Sequence, residues 1–178
     1  MNYSQRLRCK QDLIDMLVDM GVRHHIVAEL HPGGSESSLL ASIRHWAARV
    51  DRHYLGRNWS KCCALTERLC GAVFLERGRK AGLPHAHIVA RQPIGAHDLH
   101  FIWNSPFWFG PHPIRELRTV FPNPVTTRGK MHITPINESD GDRRRVVAYA
   151  AKGLESSDHA YETWCFVADL ARFSRTQG

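Results

Sequence analysis

One short stretch carries three residues able to converge on a cation. From Glu76 through Arg77, Gly78, Arg79, Lys80, Gly82 and Pro84 to His85-Ala86-His87, two β-prone runs, 71–77 and 85–91, are joined through glycines and read as a hairpin. Side chains alternate faces along a strand, so His85 and His87 point the same way while Ala86, Ile88 and Ala90 pack behind. If the hairpin sets Glu76 opposite His85, facing Cβ atoms lie roughly 4.5–5.5 Å apart and all three side chains share one face. A slip of one residue would turn Glu76 away, so the site depends on register. Two imidazoles and a carboxylate, without a thiolate, suit a divalent ion such as Mn²⁺ or Mg²⁺ better than a structural zinc site. Three protein ligands also leave positions open for water and phosphate oxygens. An HxH spacing arises by chance in a chain with 12 histidines; the facing glutamate is what gives this one weight. His24, His25, His31, His45 and His53 lack such company and read as surface or packing residues.

A second arrangement lies farther on. Residues 143–154 read as a helix with Val147, Ala150, Ala151 and Leu154 on one face and Tyr149 nearly opposite, between Arg145 and Lys152. A phenol, with a pKa of about 10, needs help to become a nucleophile near neutral pH, and a neighbouring ammonium favours its charged form. Lys152 can supply that charge, or neutralise a phosphate, or protonate a leaving oxygen; the sequence leaves all three open. Taken alone, Tyr149 reads more simply as a tyrosine on a basic helix that touches phosphate.

Around these residues the sequence predicts a helix over 4–20 and a strand over 24–30. A break at His31-Pro32-Gly33-Gly34 follows, then a helix over 37–54 and a short helix over 60–69. A further strand is predicted over 131–136, and a closing helix over about 158–173 is marked by Tyr161, Trp164, Cys165, Ala168 and Phe173. The stretch 92–124 is rich in proline, glycine and aromatics and gives no assignment. Within it Phe101, Trp103, Phe107, Trp108 and Phe109 crowd together, as core residues or as rings for stacking unpaired bases. Strands and helices mix without βαβ alternation. That predicts an α+β fold, a central mainly antiparallel sheet flanked by helices, in one domain over 1–178.

Composition narrows the partners. Twenty-four Lys and Arg against 17 Asp and Glu leave a net charge of +7, which favours polyanions, nucleic acid before anionic membrane. No apolar run approaches the roughly 20 residues of a membrane helix, and the first residues lack a signal-type apolar stretch. Five cysteines form an odd set without a CxxC pair, so neither a disulfide framework nor a zinc finger is indicated and a reducing cytoplasm is expected. No GxxxxGK[ST] motif occurs, which excludes an ATPase module within the chain.

Pro84-His85-Ala86-His87-Ile88-Val89 and the later Tyr149-Ala-Ala-Lys152, with a glutamate nine residues before His85, together resemble the HUH endonucleases. These are rolling-circle replication initiators, conjugative relaxases and a class of transposases. The resemblance covers residues 23–154. It departs from the family at Val27-Ala-Glu-Leu-His31, which matches the first family motif poorly and leaves Glu29 and His31 without a role. The resemblance implies an antiparallel sheet with the metal on central strands and the tyrosine on a nearby helix. It also implies metal ligands Glu76, His85 and His87, the nucleophile Tyr149 with Lys152 assisting, and single-stranded DNA as substrate, nicked and rejoined through a 5′-phosphotyrosine. A single tyrosine and the absence of added modules point to a compact replication initiator, with a transposase or relaxase as the alternative. Arg143, Arg144, Arg145, Arg77, Arg79 and Lys80 flank the two motifs and are candidates for backbone phosphate contacts. Two readings of other classes compete. A non-catalytic nucleic-acid-binding module predicts binding without a covalent product, and a small-phosphoester metallohydrolase predicts water as nucleophile. A histidine-triad hydrolase would need a histidine at 89, where Val89 stands.

Overall fold

The computed structural model describes residues 2–29, 34–61, 68–77, 83–91, 95–104, 129–155 and 164–172. In chain order the elements are α1 (Tyr3–Asp19), β1 (His24–Glu29), α2 (Glu36–Leu55), a 3₁₀ turn (Gly56–Lys61), β2 (Cys70–Arg77) and β3 (Pro84–Arg91). There follow α3 (Ala96–Asn104), β4 (Met131–Pro135), α4 (Asp140–Ala150), a second 3₁₀ turn (Lys152–Glu155), β5 (Trp164–Phe166) and α5 (Val167–Arg172). Polar caps set where the long helices begin. Asn2 and Gln5 form a reciprocal capping box at α1, and the Ser35 and Ser139 side chains accept from the backbone N–H groups of Ser38 and Asp142 at α2 and α4. Asp140 and Asp142 add negative charge at the α4 N-terminus, where the helix dipole favours it.

The five strands form one sheet in the order β4-β1-β3-β2-β5, every neighbouring pair antiparallel. The α+β class and the flanked antiparallel sheet are as the sequence predicts. Gly71, at φ +152°, lies where β2 runs so close to β3 that a Cβ would overlap the Val89 carbonyl. Both sheet faces are covered. Ile26, Ala28, Val73, Ala86, Ile88 and Ala90 pack against α2, α3 and α5. On the other face Ala72, Phe74 and Val89 pack against Leu13, Leu17 and Val18 of α1 and Val147 and Ala150 of α4. This second core stops short of the ends of β2 and β3 that carry Glu76 and His85.

The first core holds two tryptophans, Trp46 and Trp103, whose rings meet edge to face with centroids 6.3 Å apart. Their indole N–H groups donate to the carbonyls of Leu99 and Gly129, so neither buries an unpaired donor. Trp103 is therefore a core residue and not a base-stacking platform; Trp108 lies outside the described residues. At the end of α2, Asp51 accepts from Arg68 Nε at 2.9 Å and from the Leu69 backbone at 2.6 Å, pinning the helix to the lead-in of β2. Both side chains of this ion pair are buried.

One sequence assignment needs correction. Within the predicted closing helix, Trp164–Phe166 is an edge strand paired to Ala72–Phe74 and α5 starts at Val167, while residues 158–163 lie outside the described residues. Trp164 stacks on Phe74 and meets Phe166, and this cross-strand aromatic packing outweighs helical spacing. A 3₁₀ turn, Gly56–Lys61, reaches the start of the short helix predicted over 60–69, whose residues 62–67 lie outside the described residues, and Cys70 already belongs to β2. The helix α3 has no counterpart in the sequence reading. Cys9, Cys70 and Cys165 are free thiols. Among the described residues, no helix is long and apolar enough to cross a membrane.

Candidate metal centre and tyrosine

Strand register builds the centre. Glu76 pairs with His85, and His87 lies two residues farther on the same face of β3. Glu76 Oε2 lies 3.1 Å from His87 Nε2 and 3.5 Å from His85 Nε2. One ligand atom from each of the three residues falls within 4.8 Å of the others. Neighbouring oxygen or nitrogen ligands of an octahedral ion, each about 2.1 Å from the metal, sit about 3 Å apart. Donor chemistry and spacing therefore fit a metal ion. His87 is buried, whereas His85 and Glu76 keep part of their surface in solvent, so the group opens outward.

A fourth side chain joins it from β1. His25 pairs with Val89, which puts it on the same face as His87, and its Nε2 lies 3.1 Å from His87 Nδ1. The two rings are within 8° of parallel with centroids 5.3 Å apart, the separation of two imidazoles joined edge to edge. The sequence reading placed His25 among surface or packing residues, and the structure corrects this. The signal was the alternation His25, Val27, Glu29, but only the knowledge that β1 lies beside β3 gives it meaning. Glu29 pairs with His85 from the side opposite Glu76 and is exposed; it is not one of the three clustered ligands. His24 points to the other sheet face and is buried, His53 packs against Tyr54, and His31 lies outside the described residues.

Tyr149 reaches this group from α4. Val147, Ala150, Ala151 and Leu154 are buried in the second core, as predicted, and Tyr149 on the opposite side is 52% exposed. Its ring stands 86° to both imidazoles, with centroids 5.4 Å from His87 and 6.0 Å from His25. Lys152 sits on the 3₁₀ turn after the helix rather than on the helix itself. Its Nζ lies 3.0 Å from Glu76 Oε2 and 4.3 Å from the centre of the Tyr149 ring. One ammonium thus touches both the phenol and the carboxylate of the ligand group.

The charges reinforce one another. Burial pushes the Glu76 carboxyl up, but the hydrogen bond and charge of Lys152, with the two histidines, outweigh it and hold the group below its usual range. Burial likewise works against the Lys152 ammonium, and the Glu76 carboxylate overrides it to raise the lysine. Burial, followed by the neighbouring His25 and His85, brings His87 down to about 4, so its ring is neutral at physiological pH and a lone pair is free for a metal. His25 is lowered too, by burial and then by Lys152.

The flanking basic residues are less free than the sequence suggests. Arg143, Arg144 and Arg145 each hold a carboxylate, those of Asp140, Asp15 and Asp142 respectively. Arg77 pairs with Glu36 across 2.8 Å. Arg79 and Lys80 lie outside the described residues. Compared with protein-family models, with curated proteins and with solved structures, the chain finds no match.

Proposed function

We propose that the protein is an HUH-type endonuclease that nicks and rejoins single-stranded DNA through Tyr149. One observation carries the reading: the phenol of a distant helix stands against a His-His-Glu ligand group, and a single lysine touches both. A structural tyrosine on an exposed helix face has no need of that company.

Glu76, His85 and His87 are the residues that would hold a divalent cation, Mn²⁺ or Mg²⁺, whose chemistry when bound is Lewis-acid polarisation of the scissile phosphate. Tyr149 Oη attacks phosphorus, forming a bond to the 5′ side while the bond from phosphorus to the 3′ oxygen breaks. The proton lost by the phenol balances the one gained by the leaving 3′-hydroxyl, so neither water nor ATP is consumed. Lys152 Nζ is the cation placed to offset negative charge at Oη, and its raised pKa keeps it charged. Because the phosphotyrosine keeps the ester energy, a later 3′-hydroxyl can reverse the step and seal the strand. This activity fits initiation of rolling-circle replication of a plasmid, phage or mobile element in the cytoplasm, with the net charge of +7 favouring DNA.

The test is incubation with single-stranded oligonucleotides and Mn²⁺, followed by a denaturing gel. A shifted protein–DNA band with the native chain and none with Tyr149→Phe is expected. Cleavage without any covalent band would transfer the reading to a metal-activated water, and binding alone to a non-catalytic module.

A further inference from the structure

We infer that His25 is a positioning residue for the metal centre, fixing the ring plane of His87 and accepting a hydrogen bond from its Nδ1–H when Nε2 binds a cation. The inference deepens the metal-centre reading above and rests on it.

The chemistry follows from proton counting. A neutral imidazole carries one N–H, and a ring that gives its Nε2 lone pair to a metal must carry the proton on Nδ1. That N–H then needs an acceptor, and histidine ligands generally find one in a carboxylate, a backbone carbonyl or water. His87 is 4% exposed and sits mid-strand, so solvent is a poor candidate. His25 Nε2 lies 3.1 Å from His87 Nδ1, while Glu76 Oε2 lies 3.1 Å from Nε2 at the other end of the ring. The near-parallel ring planes put the His25 lone pair in line with the His87 N–H, as a hydrogen bond between two imidazoles requires. The strand pairing of His25 with Val89 holds that line, since it sets His25 diagonally beside His87 on the same face. Tyr149 packs edge-on against both rings, so the pair also forms the wall on which the phenol rests.

The experiment compares the native protein, His25→Phe and His25→Gln. Phenylalanine keeps the ring and the contact with Tyr149 but offers no acceptor; glutamine restores an acceptor oxygen. Calorimetric titration with Mn²⁺ alone is expected to show binding about tenfold weaker in His25→Phe. Recovery in His25→Gln and melting temperatures in EDTA that match the native protein complete the expected result. Equal Mn²⁺ affinity in His25→Phe, or loss of affinity that tracks loss of melting temperature and is not recovered by glutamine, would overturn the inference. A second readout needs no metal: ¹⁵N-histidine NMR of the EDTA-treated native protein should show coupling across the hydrogen bond between His25 Nε2 and His87 Nδ1. Its absence overturns the role of His25 whatever the metal does. Failure of Glu76→Ala and His85→Ala to change Mn²⁺ binding would instead remove the metal centre itself.

Discussion

The Lys152 ammonium lies 3.0 Å from the Glu76 carboxylate, on the same oxygen that faces His85 and His87. A lysine and a metal ion held by these three residues would thus draw on one donor atom, and whatever strengthens one contact would weaken the other.

Lys152→Met should therefore tighten Mn²⁺ binding while impairing nicking. The pair is partly exposed, and such contacts contribute about 0.5–1 kcal/mol, so a gain of about two- to fivefold in affinity is expected. Opposite movement of calorimetric affinity and nicking rate is the signature; weaker Mn²⁺ binding would show that Lys152 supports the ligand group instead of competing with it.

Tyr149→Phe removes only an oxygen on a ring that is 52% exposed. Its unfolding free energy, read by denaturant melts, should stay within about 0.5 kcal/mol of the native value, the usual range for surface changes. Binding of single-stranded oligonucleotides, read by fluorescence anisotropy, should persist while the covalent adduct disappears.

Stability in chelator should fall with acid. His87 is held down to about 4 in the folded protein, below its ordinary value near 6.5, so the unfolded chain binds more protons between those values. Stability from this group is fully present above pH 6.5 and is lost as pH falls toward 4, by at most about 3 kcal/mol. Urea unfolding midpoints from pH 7.5 to 4.5 should decline, and His87→Gln should flatten the decline. The same variant should bind Mn²⁺ at least about tenfold more weakly, as loss of a ligand requires.

Arg68→Ala should be strongly destabilising although it lies away from the site. It would leave the Asp51 carboxylate, 1% exposed, without its counter-charge, at a cost of about 3–5 kcal/mol. Denaturant unfolding measures it directly. A loss under about 1 kcal/mol would mean that the Leu69 backbone N–H alone satisfies Asp51.

Local signals carried much of this architecture. The hairpin was readable from alternation and its connecting glycines, the Glu76–His85 pairing stood there only as a condition that the strand register meets, and Tyr149 stood out against an apolar helix face. What depended on strand order was not readable. His25 acquires a role only because β1, some 60 residues before β3, lies beside it in the sheet. The edge strand at Trp164–Phe166 was hidden for the same reason, since its partner is β2 and its aromatic spacing suits a helix as well. Lys152 was correctly placed near Tyr149, yet its contact with Glu76 joins two segments that no spacing links.

The arginines of α4 change how the protein should respond to salt. Arg143, Arg144 and Arg145 pair with Asp140, Asp15 and Asp142, so under the proposed function each would give up part of an internal contact to displace a counterion from DNA. Affinity for a single strand should then decline less steeply with ionic strength than a count of basic residues implies. Choice among strands would depend on how well an unpaired phosphate seats beside the phenol, and little on long-range attraction.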